Sequence, residues 1–153
     1  MSTSCLSHCV SARVDVPASF AFAFLADPIR LGHWALGCMR TRATDEPGVY
    51  TGCSLFDGSQ IWFSIDAHPD LGLIDYRVGP KGALIHRISA RVIAGPNAGL
   101  SAGQCHVMLM AWRPAGMEDS RWHRLCTSHD AEILLIREQI TRCHEVGGGP
   151  SVV

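Results

Sequence analysis

The sequence predicts an α+β domain in which a curved antiparallel sheet of about seven strands surrounds one long C-terminal helix, with two short helices after the first strand. Three observations support this fold class. Apolar residues recur at gaps of three and four over residues 120–143, which is the spacing of one helix face. Shorter segments before them alternate between apolar and polar residues, as half-buried strands do. Tight turns separate these segments, and sequential strands joined in this way form an antiparallel meander.

The C-terminal helix is predicted over residues 120–143. Asp119 or Ser120 is a candidate N-cap, and the glycines from Gly147 end the helix. A cap at Thr127 would instead divide it into a short and a longer helix. His129 lies at the centre of the apolar face, so it is either a core histidine bonded to a backbone carbonyl or the polar contact of a cavity. That face consists of Trp122, Leu125, Cys126, His129, Ile133, Ile136, Ile140 and Cys143.

The N-terminal elements are a strand and two short helices. Residues 6–16 alternate and predict the first strand. Pro17 has a fixed φ that suits a helix start, so residues 18–26 are predicted as the first helix. An Asp-Pro pair ends it, and residues 29–35 are predicted as the second. The six remaining strands are predicted at residues 38–44, 49–56, 60–67, 73–78, 84–93 and 104–113.

Strand parity predicts which side chains face the interior. A bulge at Gly82, in the turn between the fourth and fifth of these six strands, places Tyr76 opposite His86 and Ile74 opposite Ile88 on the inner face. Without that bulge the register slips by one residue and the inner faces disagree. The apolar pattern therefore favours a Tyr76–His86 pair inside the protein.

Parity also assigns residues to the outer face. Arg87, Ser89 and Arg91 form the polar face of their strand, and Asp66 and Asp75 point outward, which argues against paired-carboxylate chemistry. If Leu109 faces inward, the last strand has an apolar outer face, made of His106, Met108, Met110 and Trp112. Such a face predicts a protein partner or self-association, so a homodimer is possible.

Composition excludes several classes of function. The formal net charge is −1 and no basic run occurs, so no nucleic-acid partner is expected. The longest apolar run, residues 107–112, is far shorter than the ~20 residues of a membrane-spanning helix. The N-terminus lacks the pattern of a signal peptide, which predicts a cytoplasmic protein. The length of 153 residues predicts a single domain over residues 1–153.

Cysteine and histidine spacing predicts neither a metal site nor a cofactor. The chain has seven cysteines, without C-x-x-C, and they are interpreted as small buried apolar residues in a reducing compartment. Cys5, His8 and Cys9 are close in sequence, but on a strand the histidine points away from both cysteines. A nucleophilic site is not predicted either, because G-x-S-x-G is missing and Cys126, one turn from His129, is expected to be buried.

Two stretches carry a family pattern. Residues 14–28 read Val-x-Val-Pro-Ala-x-x-x-Phe-x-x-Leu-Ala-Asp-Pro and are followed by Trp34, and residues 70–78 read Asp-Leu-Gly-Leu-Ile-Asp-Tyr-Arg-Val. The first stretch resembles the first strand, the first helix and the tryptophan after the second helix of the START/Bet v 1-like (SRPBCC) superfamily, which includes polyketide cyclases and lipid-transfer domains. The second stretch resembles the mid-sheet strand of that superfamily. The resemblance extends over nearly the whole chain and carries no catalytic signature. It implies a helix-grip fold, in which a cavity between sheet and helix holds an apolar or amphipathic small molecule.

Two main classes of function remain open. The preferred one is binding of a lipid-, sterol- or polyketide-like molecule. The alternative is a polyketide cyclase or dehydratase in which Tyr76, His86 or His129 transfers protons. A weaker third class is an accessory protein that binds another protein. The three polar residues could equally serve the core. The candidate ligand-binding residues are Trp34, Phe63, Tyr76, His86, Ile88, Leu109, His129, Ile133 and Ile136; none is assigned as catalytic.

Overall fold

The computed structural model describes residues 5–147, and its main elements occur in the predicted order. Short 3-10 helices follow β4 and β6. The strands are β1 (Ser7–Val14), β2 (Met39–Ala43), β3 (Tyr50–Cys53), β4 (Gln60–His68), β5 (Leu73–Gly79), β6 (Ile85–Ala94) and β7 (Cys105–Trp112). The helices are α1 (Ala18–Leu25), α2 (Pro28–Leu31) and α3 (Asp119–Glu145). The predicted α+β class is confirmed.

The seven strands form one antiparallel sheet in the order β1-β7-β6-β5-β4-β3-β2. Strands β2 to β7 follow one another as the predicted meander, and β1 pairs with β7 at the far edge. Alternate residues of β7 are buried, and the intervening His106, Met108 and Met110 lie on the opposite, outer face. The inward position predicted for Leu109 is therefore confirmed, and so is the apolar outer face of this strand.

Helix α3 is continuous, so the alternative division at Thr127 is wrong. The Thr127 hydroxyl donates to the carbonyl of His123 within the helix (3.0 Å). Neither predicted side-chain cap forms: the N-cap position is Glu118, without a side-chain hydrogen bond. Asp119 instead pairs with Arg113 at the end of the sheet (2.6 Å). Among residues 5–147, no helix is long and apolar enough to cross a membrane.

Helix α2 is shorter than predicted and directs Trp34 into the core. The Asp27 carboxylate accepts from the backbone N–H groups of Ile29 and Arg30 (2.8 and 3.3 Å), which fixes the helix start. The helix ends at Leu31, and the chain turns back toward the sheet. The Trp34 ring then lies edge-on to the ring of Tyr76, with 6.0 Å between their centroids.

The register of β5 against β6 differs from the prediction. Tyr76 lies opposite Ile88, and Ile74 lies opposite Ala90. Neither the predicted Tyr76–His86 pair nor the predicted Ile74–Ile88 pair forms. Tyr76 and Ile88 nevertheless both face the interior, as predicted. A bulge between this pair and the hairpin turn changes which residues are paired, but it leaves the apolar side chains on the inner face.

The bulge lies within β6, at Arg87, rather than in the hairpin turn. Arg77 is opposite His86, and the register then shifts by one residue before Ile88. Gly82 has a positive φ (79°), but it belongs to the turn. An extra residue in a strand reverses the face to which neighbouring side chains point. His86 is consequently on the outer face, and the outward position predicted for Arg87 is wrong.

The cysteines are free thiols, and the prediction that they are buried is only partly confirmed. Cys38 and Cys105 are buried, and Cys53, Cys126 and Cys143 are partly buried. Cys5 and Cys9 are exposed. Cys9 lies on the outer face of β1, opposite the half-buried side chains of its neighbours, so the general expectation of buried cysteines is wrong at this end of the chain.

Candidate functional site

A cavity of about 480 Å³ lies between α3 and the inner face of strands β4, β5 and β6. Typical small-molecule pockets occupy about 300–1,000 Å³, so this volume suits a small organic ligand. The surface of the cavity is mostly apolar. Its mouth is marked by the exposed residues Phe56, Asp57, Arg121 and Arg124, whereas buried aromatic rings form its inner end.

The inner end is formed by aromatic side chains that the sequence analysis had selected. Trp34, Phe63 and Tyr76 line the cavity and are 3%, 1% and 2% exposed. The Tyr76 hydroxyl donates to the backbone carbonyl of Leu25 (2.7 Å), and burial raises the pKa of this phenol. Since its proton is held in an internal hydrogen bond, Tyr76 is a structural residue of the cavity wall rather than an acid or base. Ile88 also lines the cavity.

His129 is on the cavity wall, which favours the second of its two predicted environments. Its side chain is buried, and within the described part of the chain its Nδ1 has no hydrogen-bond partner. Burial lowers the pKa of His129 to about 4, and the electrostatic effect of nearby His8 acts in the same direction. The imidazole is therefore neutral at pH 7.

Glu132 is a buried acid beside His129 that the sequence analysis missed. Its Oε2 lies 3.7 Å from the Nε2 of His129, and its Oε1 accepts from the backbone N–H of Leu36 (2.8 Å). Burial raises the pKa of Glu132 to about 7, although the Leu36 hydrogen bond opposes the rise. A signal was present in the sequence: residues three apart share a helix face, so a carboxylate at this position faces the same space as His129.

Arg87 enters the cavity because of the bulge in β6. The side chain lines the cavity, and its Nε is buried without a hydrogen-bond partner among the described residues. Burial lowers the pKa of Arg87, and the positive charge of Arg121 on α3 lowers it further. Because an arginine still retains its proton at neutral pH, the cavity contains a guanidinium ion.

The loop of residues 54–59 borders the mouth, because β3 ends at Cys53 and not at the predicted Phe56. The Asp57 carboxylate accepts from the backbone N–H and the hydroxyl of Ser59 (2.9 and 2.7 Å), which fixes the loop. The Phe56 ring lies 5.2 Å from the guanidinium carbon of Arg124. This cation–π contact connects the loop to α3 across the mouth.

His86 lies outside the cavity, on the outer face of the sheet. Its Nε2 is 2.9 Å from Asp75 Oδ1, and the Ser89 hydroxyl donates to the same carboxylate oxygen (2.6 Å). The Trp112 ring packs edge-on against the imidazole, with 4.8 Å between centroids. The outward position predicted for Asp75 is confirmed.

Three other candidate residues belong to the core and do not line the cavity. Leu109, Ile133 and Ile136 are buried among the apolar side chains between sheet and helix. The apolar periodicity that selected them does not distinguish a side chain packed against protein from one that faces open space.

The unpaired buried polar atoms of the described chain are concentrated in this cavity. Among residues 5–147, the buried side-chain nitrogen and oxygen atoms without a hydrogen-bond partner are Trp34 Nε1, Arg87 Nε and His129 Nδ1. All three residues line the cavity. Most buried polar groups in proteins are hydrogen-bonded, so this concentration marks the cavity as the candidate functional site.

Solved structures with the same architecture include proteins named as aromatase/cyclases. The Streptomyces aromatase/cyclase Zhui matches with a TM-score of 0.67 at 16% identity, over 94% of this chain and 98% of its own. The chain has the helix-grip fold. The di-domain ARO/CYC protein BexL matches with a TM-score of 0.68 at 14% identity, over 90% of this chain and 47% of its own.

A further structural neighbour is XoxI from Bacillus cereus. It matches with a TM-score of 0.68 at 11% identity, over 92% of this chain and 99% of its own. No protein-family model matches the chain, and no curated protein matches its sequence. At identities of 11–16% these neighbours establish the fold, so the function has to be argued from the residues of the cavity.

Proposed function

We propose that the protein binds an amphipathic small molecule of lipid-, sterol- or polyketide-like character in the cavity between the sheet and α3. One observation carries this proposal: the unpaired buried atoms of Trp34, Arg87 and His129 all belong to a cavity that is otherwise mostly apolar. A buried polar group without a partner is unfavourable by roughly 1–3 kcal/mol. A ligand with an apolar body and a few polar atoms would supply partners to these groups while covering the aromatic wall.

The proposal is tested with N-phenyl-1-naphthylamine, a neutral dye whose fluorescence rises in apolar surroundings. We expect saturable binding with a Kd in the micromolar range, which corresponds to about −8 kcal/mol. Lipids, sterols and aromatic polyketides should displace the dye competitively. Lack of saturable dye binding by the folded protein would contradict the proposal.

A pair of neighbouring variants on α3 shows where the dye binds. Ser128 is buried and lines the cavity, and its hydroxyl donates only within the helix, to the carbonyl of Arg124 (2.7 Å). Ser128→Phe should fill part of the cavity and abolish dye binding. Thr127→Phe places the same ring at the adjacent, exposed position and should leave dye binding unchanged. Equal loss in both variants would indicate a general effect on the helix.

A second candidate function is enzymatic, and the His129–Glu132 pair favours it. Burial favours the uncharged form of both groups. The pair therefore combines a neutral imidazole with a carboxylic acid whose pKa is about 7. A general acid or base is most efficient when its pKa is close to the working pH, a condition that Glu132 meets and His129, with a pKa of about 4, does not. The names of the neighbours Zhui and BexL as aromatase/cyclases support cyclisation of a polyketone as the reaction to examine.

The enzymatic candidate is tested with a linear poly-β-ketone substrate whose spontaneous cyclisation is measured in parallel. If the pair transfers protons, Glu132→Gln should reduce the enzyme-dependent rate about 100-fold or more while dye binding persists. His106→Gln, on the outer face of β7, is the control and should retain the full rate. A rate unaffected by Glu132→Gln would exclude this role and leave the binding function.

A further inference from the structure

Positive charge in the cavity has no carboxylate partner among the described residues. Arg87 and Arg121 line the cavity and form no ion pair or hydrogen bond within residues 5–147. Arg124 differs from them, because its guanidinium lies over the Phe56 ring at the mouth. The first two arginines are therefore the groups available to a ligand.

Arg87 lies across the cavity from the middle of α3. Burial is the main reason that the pKa of His129 is low, and the charge of Arg87 adds to it. Burial likewise lowers the pKa of Arg87, and the charge of Arg121 adds to that effect. Residues 121 and 129 are eight positions apart, or about 12 Å along the helix, and both of them line the same cavity as Arg87. The cavity wall thus carries two guanidinium ions, of which Arg87 is partly buried and Arg121 is exposed, and an anion between them would reduce their mutual repulsion.

The acidic residues of the cavity do not neutralise these arginines. Glu132 is held at the inner end by the Leu36 N–H, and burial raises its pKa to about 7, so much of it is uncharged at neutral pH. Asp57 is exposed at the mouth, and its carboxylate is held by Ser59. The interior of the cavity is consequently positive.

We propose that the polar end of the ligand is an oxyanion, a carboxylate or a phosphate monoester, held between Arg87 and Arg121, with its apolar part directed toward Trp34 and Phe63. The guanidinium fork matches two oxygens of either group, and such charge-assisted hydrogen bonds are stronger than neutral ones. This inference rests on the proposed binding function and specifies the class of ligand. The Nε of Arg87, buried without a protein partner, is one of the donors that the oxyanion would satisfy.

The test compares ligands that share one chain and differ in the head group. Decanoate, decyl phosphate, 1-decanol and decyltrimethylammonium compete with N-phenyl-1-naphthylamine at pH 7.5. We expect decanoate or decyl phosphate to bind about tenfold to hundredfold more tightly than 1-decanol, and the cation to bind most weakly. The stronger of the two anions identifies the source of the oxyanion as a carboxylic acid or a phosphate ester.

Three variants locate the preference. Arg87→Met, which keeps most of the side-chain volume, and Arg121→Gln, on the exposed surface of α3, should each remove most of the preference for the anion, measured as the ratio of anion affinity to 1-decanol affinity in the same variant. Arg91→Met is the control, because Arg91 is exposed on the same strand as Arg87 and does not line the cavity. Having one variant in the sheet and one on the helix keeps the test valid if either fails to fold.

The outcomes separate this inference from the proposed function. Equal affinity of the wild-type protein for all four head groups would overturn the oxyanion site and leave the binding function standing. A preference for anions that survives both Arg87→Met and Arg121→Gln would overturn the assignment of these residues. Failure of the dye and of every ten-carbon ligand to bind would overturn both proposals.

Discussion

Glu132→Gln should stabilise the protein at pH 8, because the glutamate is buried in a site that favours its uncharged form. Glutamine has the shape of the protonated acid, and its carbonyl oxygen can still accept from the backbone N–H of Leu36, as Glu132 Oε1 does (2.8 Å). The pKa of Glu132 rises from 4.5 to about 7 on burial. At 1.36 kcal/mol for each pH unit, the ionised glutamate lowers the free energy of unfolding by about 3 kcal/mol.

The pH range of this effect follows from the two pKa values. Below pH 4.5 the carboxyl is protonated in the folded and unfolded chain, so it does not affect stability. Between pH 4.5 and about 7 the unfolded chain ionises more readily, and the folded protein loses stability as the pH rises. The gain from Glu132→Gln should therefore be small at pH 4.5, below about 0.5 kcal/mol, and nearly complete at pH 8.

His129 changes the free energy of unfolding with pH in the opposite direction, over nearly the same pH range. Burial lowers its pKa from 6.5 to about 4, so the unfolded chain takes up a proton first as the pH falls, and stability is lost between pH 6.5 and 4. In the wild-type protein the two slopes nearly cancel between pH 4.5 and 6.5. In Glu132→Gln the free energy of unfolding should therefore rise with pH, because only His129 contributes. In His129→Leu it should fall with pH, because only Glu132 contributes.

Urea unfolding, followed by tryptophan fluorescence at five pH values from 4.5 to 8, measures these slopes. The refuting result is a loss of stability at pH 8 in Glu132→Gln. That result would show that the carboxylate is ionised and forms a stabilising ion pair with a protonated His129, across the 3.7 Å that separates them. Glu138→Gln, on the exposed side of α3, is the control and should change the free energy of unfolding by less than about 0.5 kcal/mol at every pH.

Two further substitutions test the packing around the cavity. Tyr76→Phe removes the hydrogen bond to the Leu25 carbonyl (2.7 Å) and should lower the free energy of unfolding by about 1–3 kcal/mol while dye affinity is retained; unchanged stability would contradict this role. Ile140→Ala, at a fully buried position of α3, should lower it by about 2–5 kcal/mol. Leu134→Ala, at a position that is 50% exposed, is its control, and equal losses in urea unfolding would contradict the assigned orientation of α3.

The elements of the fold were predictable because their signals are local. The alternation along residues 105–112 and the three-and-four spacing along α3 are each complete within one segment, and the structure reproduces both. The Asp-Pro pair that ends α1 also caps α2, so a short-range signal set this boundary as well. Helix length was harder, because α2 ends where tertiary packing takes Trp34 into the core.

The polar part of the site was less predictable, for two different reasons. The apolar periodicity of α3 does not select a glutamate, although the spacing of Glu132 from His129 places both on the same face. The bulge at Arg87 had no distinguishing signal. A bulge in the hairpin turn and a bulge inside β6 both leave Tyr76 and Ile88 facing inward, so the apolar pattern could not choose between them.

The position of that bulge determines the chemistry of the cavity. With the extra residue in the turn, His86 would face inward beside Tyr76, and Arg87 would lie on the outer face. With the extra residue at Arg87, the imidazole pairs with Asp75 outside, and a guanidinium ion enters a space that already contains the neutral His129. A shift of one residue in β6 thus exchanges an imidazole for a permanently charged guanidinium group in the cavity. For this reason the class of ligand had to be inferred from the three-dimensional structure, whereas the presence of an apolar cavity was already implied by the resemblance.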